Sequence, residues 1–210
     1  MSSKKKELSF SLSDLNILIL GAKLGIGASL ARICAEQNAN VILVDKEEPI
    51  ELADNLRQLA VANIVTYGCD ISNRDAVESL AAELSQRNYS PHSVALTAGI
   101  TFYNDWLETD NETWDRDVEQ IFNVNLAGPI NVARSFLPIM EKNNWGRMVL
   151  VGSIAGRMGG LTSQPHYAAS KGGVHALTRW LASKYAPSGV LVNAVAPGPT
   201  KTRMTEGRSI

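Results

Sequence analysis

The segment Asn16-Ile-Leu-Ile-Leu20-Gly21-Ala-Lys-Leu-Gly25-Ile-Gly27 runs a short, mostly apolar stretch straight into three glycines. A nearly unbroken apolar run of this length reads as a strand buried on both faces, the pattern of a parallel sheet. Residues 26–37 then place Ile26, Leu30, Ile33 and Cys34 at helical spacing. Gly21, Gly25 and Gly27 permit a tight turn between strand and helix, and let a pyrophosphate approach the backbone at the helix N-terminus. The spacing is Gly-x-x-x-Gly-x-Gly, not the commoner Gly-x-Gly-x-x-Gly, and a plain strand–helix turn could carry the same glycines. Asp45 tips the reading toward a nucleotide. It ends a second strand, Val41-Ile-Leu-Val-Asp45, 20 residues past Gly25, where an acid would hydrogen-bond the ribose hydroxyls of an adenosine.

The alternation continues outward from this unit. Residues 47–60 carry Leu52, Leu56 and Leu59 on one helical stripe, and a third strand spans about residues 63–68. Asn73 reads as the N-cap of a helix whose inward face is Val77, Leu80, Ala81 and Leu84. Ser93-Val-Ala-Leu-Thr97 is a fourth strand, and residues 112–142 are mostly helical with an irregular turn near 125–129. Arg147-Met-Val-Leu-Val151 is a fifth strand, Pro165–Tyr185 a helix rich in Ala and Gly, and Val190–Val195 a sixth strand. Strands alternating with helices predict βαβ units with right-handed crossovers. The expected class is α/β, a three-layer doubly wound parallel sheet of at least six strands, in one domain over residues 1–210. Loop-like composition concentrates at residues 152–165 and from Pro197 onward, and such folds place ligands in loops beyond the carboxyl ends of their strands.

Composition narrows the function. The chain has 210 residues, 45% apolar and 20% charged, which suits one globular domain by the soft prior of about 150 residues each. Lys and Arg number 20 against 21 Asp and Glu, so the net charge of −1 gives no electrostatic reason to expect nucleic acid or an anionic membrane as partner. No apolar run approaches the roughly 18 residues of a membrane span. Leu8-Ser-Phe-Ser-Leu12 is too broken for a signal-peptide core, so the expected location is the cytoplasm. Cys34 and Cys69 lack metal or redox spacing and read as small buried thiols. No His/Cys/Asp cluster has metal spacing, so no catalytic metal is expected. Ser153 has Ala155 two residues on, which excludes a Gly-x-Ser-x-Gly elbow.

Tyr167-Ala-Ala-Ser-Lys171 sets a phenol and an ammonium at i and i+4, on one helix face. Ser153 follows the fifth strand directly and should stand at the carboxyl edge of the sheet. A phenol of pKa about 10 becomes a usable base near neutrality only if cations lie close, and a three-unit fall needs roughly 4 kcal/mol. Lys171 and a cationic oxidised nicotinamide are the sources to expect.

Together these pieces resemble the short-chain dehydrogenase/reductase family, in particular its 3-oxoacyl reductases. The matching residues are Gly21-x-x-x-Gly25-Ile26-Gly27, Asp70, Ala98-Gly99, Asn125 within Asn123-Val-Asn125, Ser153, Tyr167-x-x-x-Lys171, and Pro197-Gly198 followed by Thr200 and Thr202. They occur in the family's order over nearly the whole chain. The resemblance implies a Rossmann-like fold and an NAD(P)-dependent oxidoreductase that moves a hydride between nicotinamide and a secondary alcohol or its ketone. It implies Tyr167 as general acid/base, and Lys171 lowering its pKa and holding the nicotinamide ribose. Ser153 would hydrogen-bond the substrate oxygen, and Asn125 would help organise a water-borne proton relay with Lys171. Asp70 with the Ile71 backbone would contact adenine, Ala98 and Gly99 would line the cofactor cleft, and Pro197, Gly198, Thr200 and Thr202 would face the nicotinamide.

Departures from the family pattern set further expectations. Leu20 and Thr97 replace the usual Thr and Asn, with structural consequences only. Ser153 and Tyr167 are 14 apart, one more than is common, so the loop between them should bulge. Family members continue with a substrate-covering helix and one more strand. This chain ends at Ile210, so the domain is expected to lack that strand, through omission or truncation. Asp45 favours NAD over NADP, although Lys23 in the turn and Lys46 pull the other way. His166 is expected as a polar residue at a helix start, with the substrate mouth as the other reading, and His175 as a packing residue. The helices of residues 112–142 and 165–185 should share one face of the sheet. Small residues with Leu177, Trp180 and Leu181 would then build a homodimer or homotetramer. A catalytically silent dinucleotide-sensing module is the alternative function.

Overall fold

A computed structural model describes residues 12–59, 63–160 and 163–206 of the chain, with Leu59 by its backbone alone. The first 11 residues, the Leu59 side chain and the Ala60 helix end lie outside the described residues. In chain order the elements are β1 (Asn16–Leu20), α1 (Gly25–Glu36), β2 (Asn40–Asp45), α2 (Ile50–Leu59), β3 (Ile64–Gly68), α3 (Arg74–Gln86), β4 (Ser93–Leu96), α4 (Asn111–Phe122), α5 (Gly128–Lys142), β5 (Gly146–Val151), α6 (Ala155–Met158), α7 (Pro165–Tyr185) and β6 (Val190–Val195). All strand pairs are parallel, in the order β3-β2-β1-β4-β5-β6. The order reverses between β1 and β4, where folds of this kind open a ligand crevice.

The strand alternation sorts the core into two layers. Ile17 and Ile19 of β1 pack with Ala31, Cys34, Ala53 and Leu56 from α1 and α2. Leu18 and Leu20 face the other way, onto Val77, Phe136 and Val174 from α3, α5 and α7. Both faces of β1 are thus covered, which is why its sequence shows no polar alternation. Each fully buried Leu or Ile in these layers contributes about 2 kcal/mol of transfer free energy.

Local chemistry sets the element ends. Asn73 caps α3 by accepting the Ala76 N–H at 3.1 Å. The second helix begins at Ile50, later than the residues 47–60 of the sequence reading, because Pro49 bars Glu48 from helical backbone. The irregularity expected near 125–129 is a π turn over Asn123–Ala127. Pro129 has no N–H for the Asn125 carbonyl four residues back, which favours the wider turn there.

The helices α4, α5 and α7 lie on one side of the sheet. The small faces of α7 meet their own chain at Gly172, near the Gly156 carbonyl, and at Gly173, against Leu126. Leu181, expected at a subunit interface, is instead buried in the core, because its helical position falls on the stripe of Val174 and Tyr185. Leu177 also packs against that core, whereas Trp180 is 61% exposed.

Candidate active site

A cleft of about 1440 Å³ opens beyond the carboxyl ends of the strands. Every residue given a catalytic or cofactor-binding role from the sequence lines it except Gly27 and Asn125. A β-carbon on Gly27 would stand 2.0 Å from the Gly21 carbonyl, so Gly27 lets α1 seat on the turn. Gly21 has φ +87°, and a β-carbon there would meet the Ala98 nitrogen at 2.3 Å. Thr97 completes this packing by donating its hydroxyl to the Leu20 and Gly21 carbonyls at 2.9 Å, so it does pin backbone. Leu20 is fully buried.

The N-terminus of α1 differs from those of α3 and α4. Asn73 and Asp110 cap the latter two, with Asp75 and Glu112 in their first turns. Leu24 offers α1 no cap, and its first turn holds no acid. Its leading N–H groups and positive dipole end are therefore left for an anion, and the adjoining glycines let a pyrophosphate come close. These residues fit a dinucleotide.

At the end of the cleft beside β2, Asp45 accepts the Lys23 N–H at 2.9 Å and the Lys46 N–H at 2.8 Å, one on each oxygen. A carboxylate has about four acceptor positions, so two stay open for a ribose diol. The Lys23 ammonium pairs with Glu47 at 2.5 Å and that of Lys46 with Asp70 at 3.0 Å. Asp70 also accepts the Ser72 N–H and hydroxyl, and these bonds with Lys46 outweigh desolvation and hold its carboxyl below the usual range. Burial pushes the neighbouring Cys69 thiol up to about 11, helped by Asp70. Cys69 and Cys34 are both buried and unpaired thiols.

At the other end of the cleft, Tyr167 and Ser153 both line the wall, and the Ser153 hydroxyl accepts the Ala155 N–H at 3.1 Å. Lys171 is buried, donates to the Val151 carbonyl at 2.9 Å, and stands 5.8 Å from the Tyr167 ring. Burial lowers its pKa to about 8. The expectation that Lys171 depresses the tyrosine is not met in this state. Burial raises the Tyr167 pKa above its ordinary value, the nearby Ser153 hydroxyl opposes this, and the Lys171 ammonium is turned toward Val151. Asn125 is buried on the π turn, accepting the Ile100 N–H at 2.8 Å and donating to the Ile100 carbonyl at 2.9 Å. Its amide thus clamps the strand-four loop, and a β-carbon on Gly99 would reach both Lys171 Nζ at 3.2 Å and Asn125 Oδ1 at 3.3 Å.

Pro197, Gly198, Thr200 and Thr202 form the opposite rim. The Pro197 carbonyl accepts the Ile154 N–H at 3.1 Å, and Thr202 lies against Gly25. The residues between Ser153 and Tyr167 include the short helix α6 and Gly159 at φ +67°, while Leu161 and Thr162 lie outside the described residues.

The sequence reading missed the wall built by Thr101, Phe102 and Tyr103. Tyr103 donates its hydroxyl to the Met204 carbonyl at 3.2 Å, across the mouth of the cleft. The position of this segment after strand four was the available signal. His166 stands in the first turn of α7, as expected, and does not line the cleft. It is buried edge-on to Trp114 at 5.2 Å, and burial lowers its pKa against the pull of Asp117. His175 packs under Gly152, as expected.

A parallel doubly wound sheet with an anion-ready first helix and a Ser-Tyr-Lys cluster at one crevice defines a dinucleotide-dependent enzyme. Residues 15–209 match the family model for short chain dehydrogenases. The galactitol 2-dehydrogenase (L-tagatose-forming) of Cereibacter sphaeroides is 36% identical over 203 residues, covering 93% of this chain and 75% of that protein. The 3-oxoacyl-[acyl-carrier-protein] reductase of Thermotoga maritima is 34% identical over 191 residues, covering 90% and 75%. The crystal structure of a 3-oxoacyl-[acyl-carrier protein] reductase with bound NAD from Brucella melitensis matches with a TM-score of 0.82 at 30% identity, over 92% of this chain and 74% of that one. This chain belongs to the short-chain dehydrogenase/reductase family, and is an NAD(P)-dependent oxidoreductase that transfers hydride at alcohol or ketone carbon.

Proposed function

We propose that Tyr167 is the general acid/base of this reaction, that Ser153 orients the substrate oxygen, and that NAD is the preferred cofactor. The observation that carries the reading is that Ser153 and Tyr167 line one cleft with the buried Lys171, whose Nζ stands 5.8 Å from the Tyr167 ring. When bound, oxidised nicotinamide supplies the hydride acceptor and a positive charge. In oxidation Tyr167 takes the hydroxyl proton of the substrate as the hydride leaves its carbon; in reduction it returns that proton to the carbonyl oxygen. Ser153 donates to the same oxygen and fixes the angle of attack. Lys171 holds the nicotinamide ribose, and with the cofactor's charge draws the Tyr167 pKa down from the raised value it has alone. Asn125 acts by holding Ile100 and so the loop that faces the nicotinamide. Asp70 and the Ile71 backbone take the adenine.

Asp45 supports NAD because its carboxylate would have to be desolvated beside a 2′-phosphate. The substrate is a secondary alcohol or its ketone. Galactitol, D-β-hydroxybutyrate and a 3-oxoacyl thioester, the compounds in the names of relatives, form the first panel. Replacing Tyr167 with Phe should leave NADH binding within about twofold and remove most turnover, since acid/base groups contribute about 10²–10⁴-fold. Near-wild-type turnover in that variant would defeat the assignment.

Assembly as a two-fold dimer or tetramer on α4–α5 and α7 is part of the same reading. Trp180 and Ile130, 61% and 45% exposed, support it. Light scattering at micromolar concentration should give a multiple of 22.7 kDa, and the monomer mass would refute it.

A further inference from the structure

The sequence leaves a conflict at the adenosine end, where Asp45 repels a 2′-phosphate and Lys23 and Lys46 attract one. Backbone geometry fixes where the two ammonium groups start, because Asp45 holds the N–H of both lysines. Their side chains then find different acids. Lys46 reaches Asp70, and Lys23 reaches Glu47, two residues beyond Asp45. Lys46 and Asp70 both line the cleft, as does Lys23, but Glu47 stands outside it. Glu47 therefore bears on the cleft through the ammonium it holds. Its carboxyl lies below the usual range, chiefly through the Lys23 hydrogen bond and charge, with Arg203 and Lys46 adding, so it is ionised at neutral pH.

We infer that Glu47 is a specificity-determining residue that withholds the Lys23 ammonium from the 2′-phosphate of NADP. Cofactor choice is then set by Asp45 and Glu47 together. The inference rests on the reading of this chain as NAD-preferring.

The physical reasoning is a competition for one cation. NADP differs from NAD by a phosphate carrying close to two negative charges near neutral pH. To meet it, Lys23 must give up Glu47, and the freed carboxylate then faces the same phosphate. The pair is solvent-exposed, with 43% and 80% of the two side chains accessible, so the competition is modest and screened by salt. NAD presents no such anion, and Glu47 touches nothing it needs.

The test is fluorescence titration of NADH and NADPH into wild-type protein, Glu47→Gln, Glu51→Gln and the double variant Lys23→Met/Glu47→Gln. Glu51 is an exposed acid in the first turn of α2 and controls for loss of one negative charge. Glu47→Gln should tighten NADPH binding by about threefold to tenfold at low salt, leave NADH unchanged, and lose most of the gain at high salt. Glu51→Gln should change neither, and Lys23→Met should cancel the gain. An unchanged NADPH-to-NADH ratio in Glu47→Gln would overturn the inference. So would an equal gain in Glu51→Gln, or a gain that survives Lys23→Met. Wild-type protein that already prefers NADPH would instead overturn the underlying NAD reading.

Discussion

The two ends of the cleft are built from different materials. The adenosine end is backbone and exposed charge: glycines, an uncapped helix start, and the acids and lysines around Asp45. The catalytic end is buried and clamped, with Lys171 and Asn125 nearly inaccessible and committed to the Val151 carbonyl and the Ile100 backbone. The difference teaches that selection and chemistry have different stability costs. Exposed pairs can be exchanged at little expense. A buried ammonium is unfavourable for folding, and its retention points to function.

Lys171→Met should break the comparison most strongly. Turnover should vanish, yet the folded state should gain up to about 3 kcal/mol at pH 7, less the hydrogen bond to Val151. The sign follows from proton binding. With a folded pKa of about 8 against an ordinary 10.5, the unfolded chain binds more protons between those values, so wild-type stability rises as pH goes from about 8 to 10.5. The variant loses that slope. Thermal melting at pH 7 and pH 10 checks it: the variant's advantage should be full at pH 7 and mostly gone at pH 10.

Asn125→Ala comes next. It strands the Ile100 N–H and carbonyl, and should cost about 2–3 kcal/mol by chemical denaturation along with most activity. Full stability in this variant would show that the clamp is dispensable. Asp45→Ser, at the other end, should cost under about 1 kcal/mol, yet shift the NADPH-to-NADH affinity ratio by about tenfold or more. The Glu47→Gln shift should be smaller still.

Much of this architecture was legible in the sequence. The unbroken runs of β1 and β2 announced burial on both faces, and the i, i+4 placement of Tyr167 and Lys171 put both on one face of α7. The irregular turn at Asn125 was visible through Gly128-Pro129. What escaped depended on contacts distant in sequence. Residues 101–103 hold no Gly, Pro or charged residue to mark a site, and only the mouth of the cleft makes Tyr103 a wall. The inward turn of His166 is set by Trp114 on another helix. The Lys23–Glu47 pair joins the loop after β1 to the loop after β2, and the turn of Lys171 toward Val151 depends on where β5 ends.

The division between the two ends is tested most directly by a double-variant cycle on cofactor affinity with Asp45→Ser and Tyr167→Phe. Among the described residues Asp45 and Tyr167 share no hydrogen-bond partner, so their effects should add to within about 0.5 kcal/mol. The NADPH-to-NADH ratio of the double variant should equal that of Asp45→Ser alone, while its turnover stays as low as that of Tyr167→Phe. A ratio that reverts toward wild type when Tyr167 is replaced would contradict the account, because it would mean that Tyr167 takes part in choosing the cofactor.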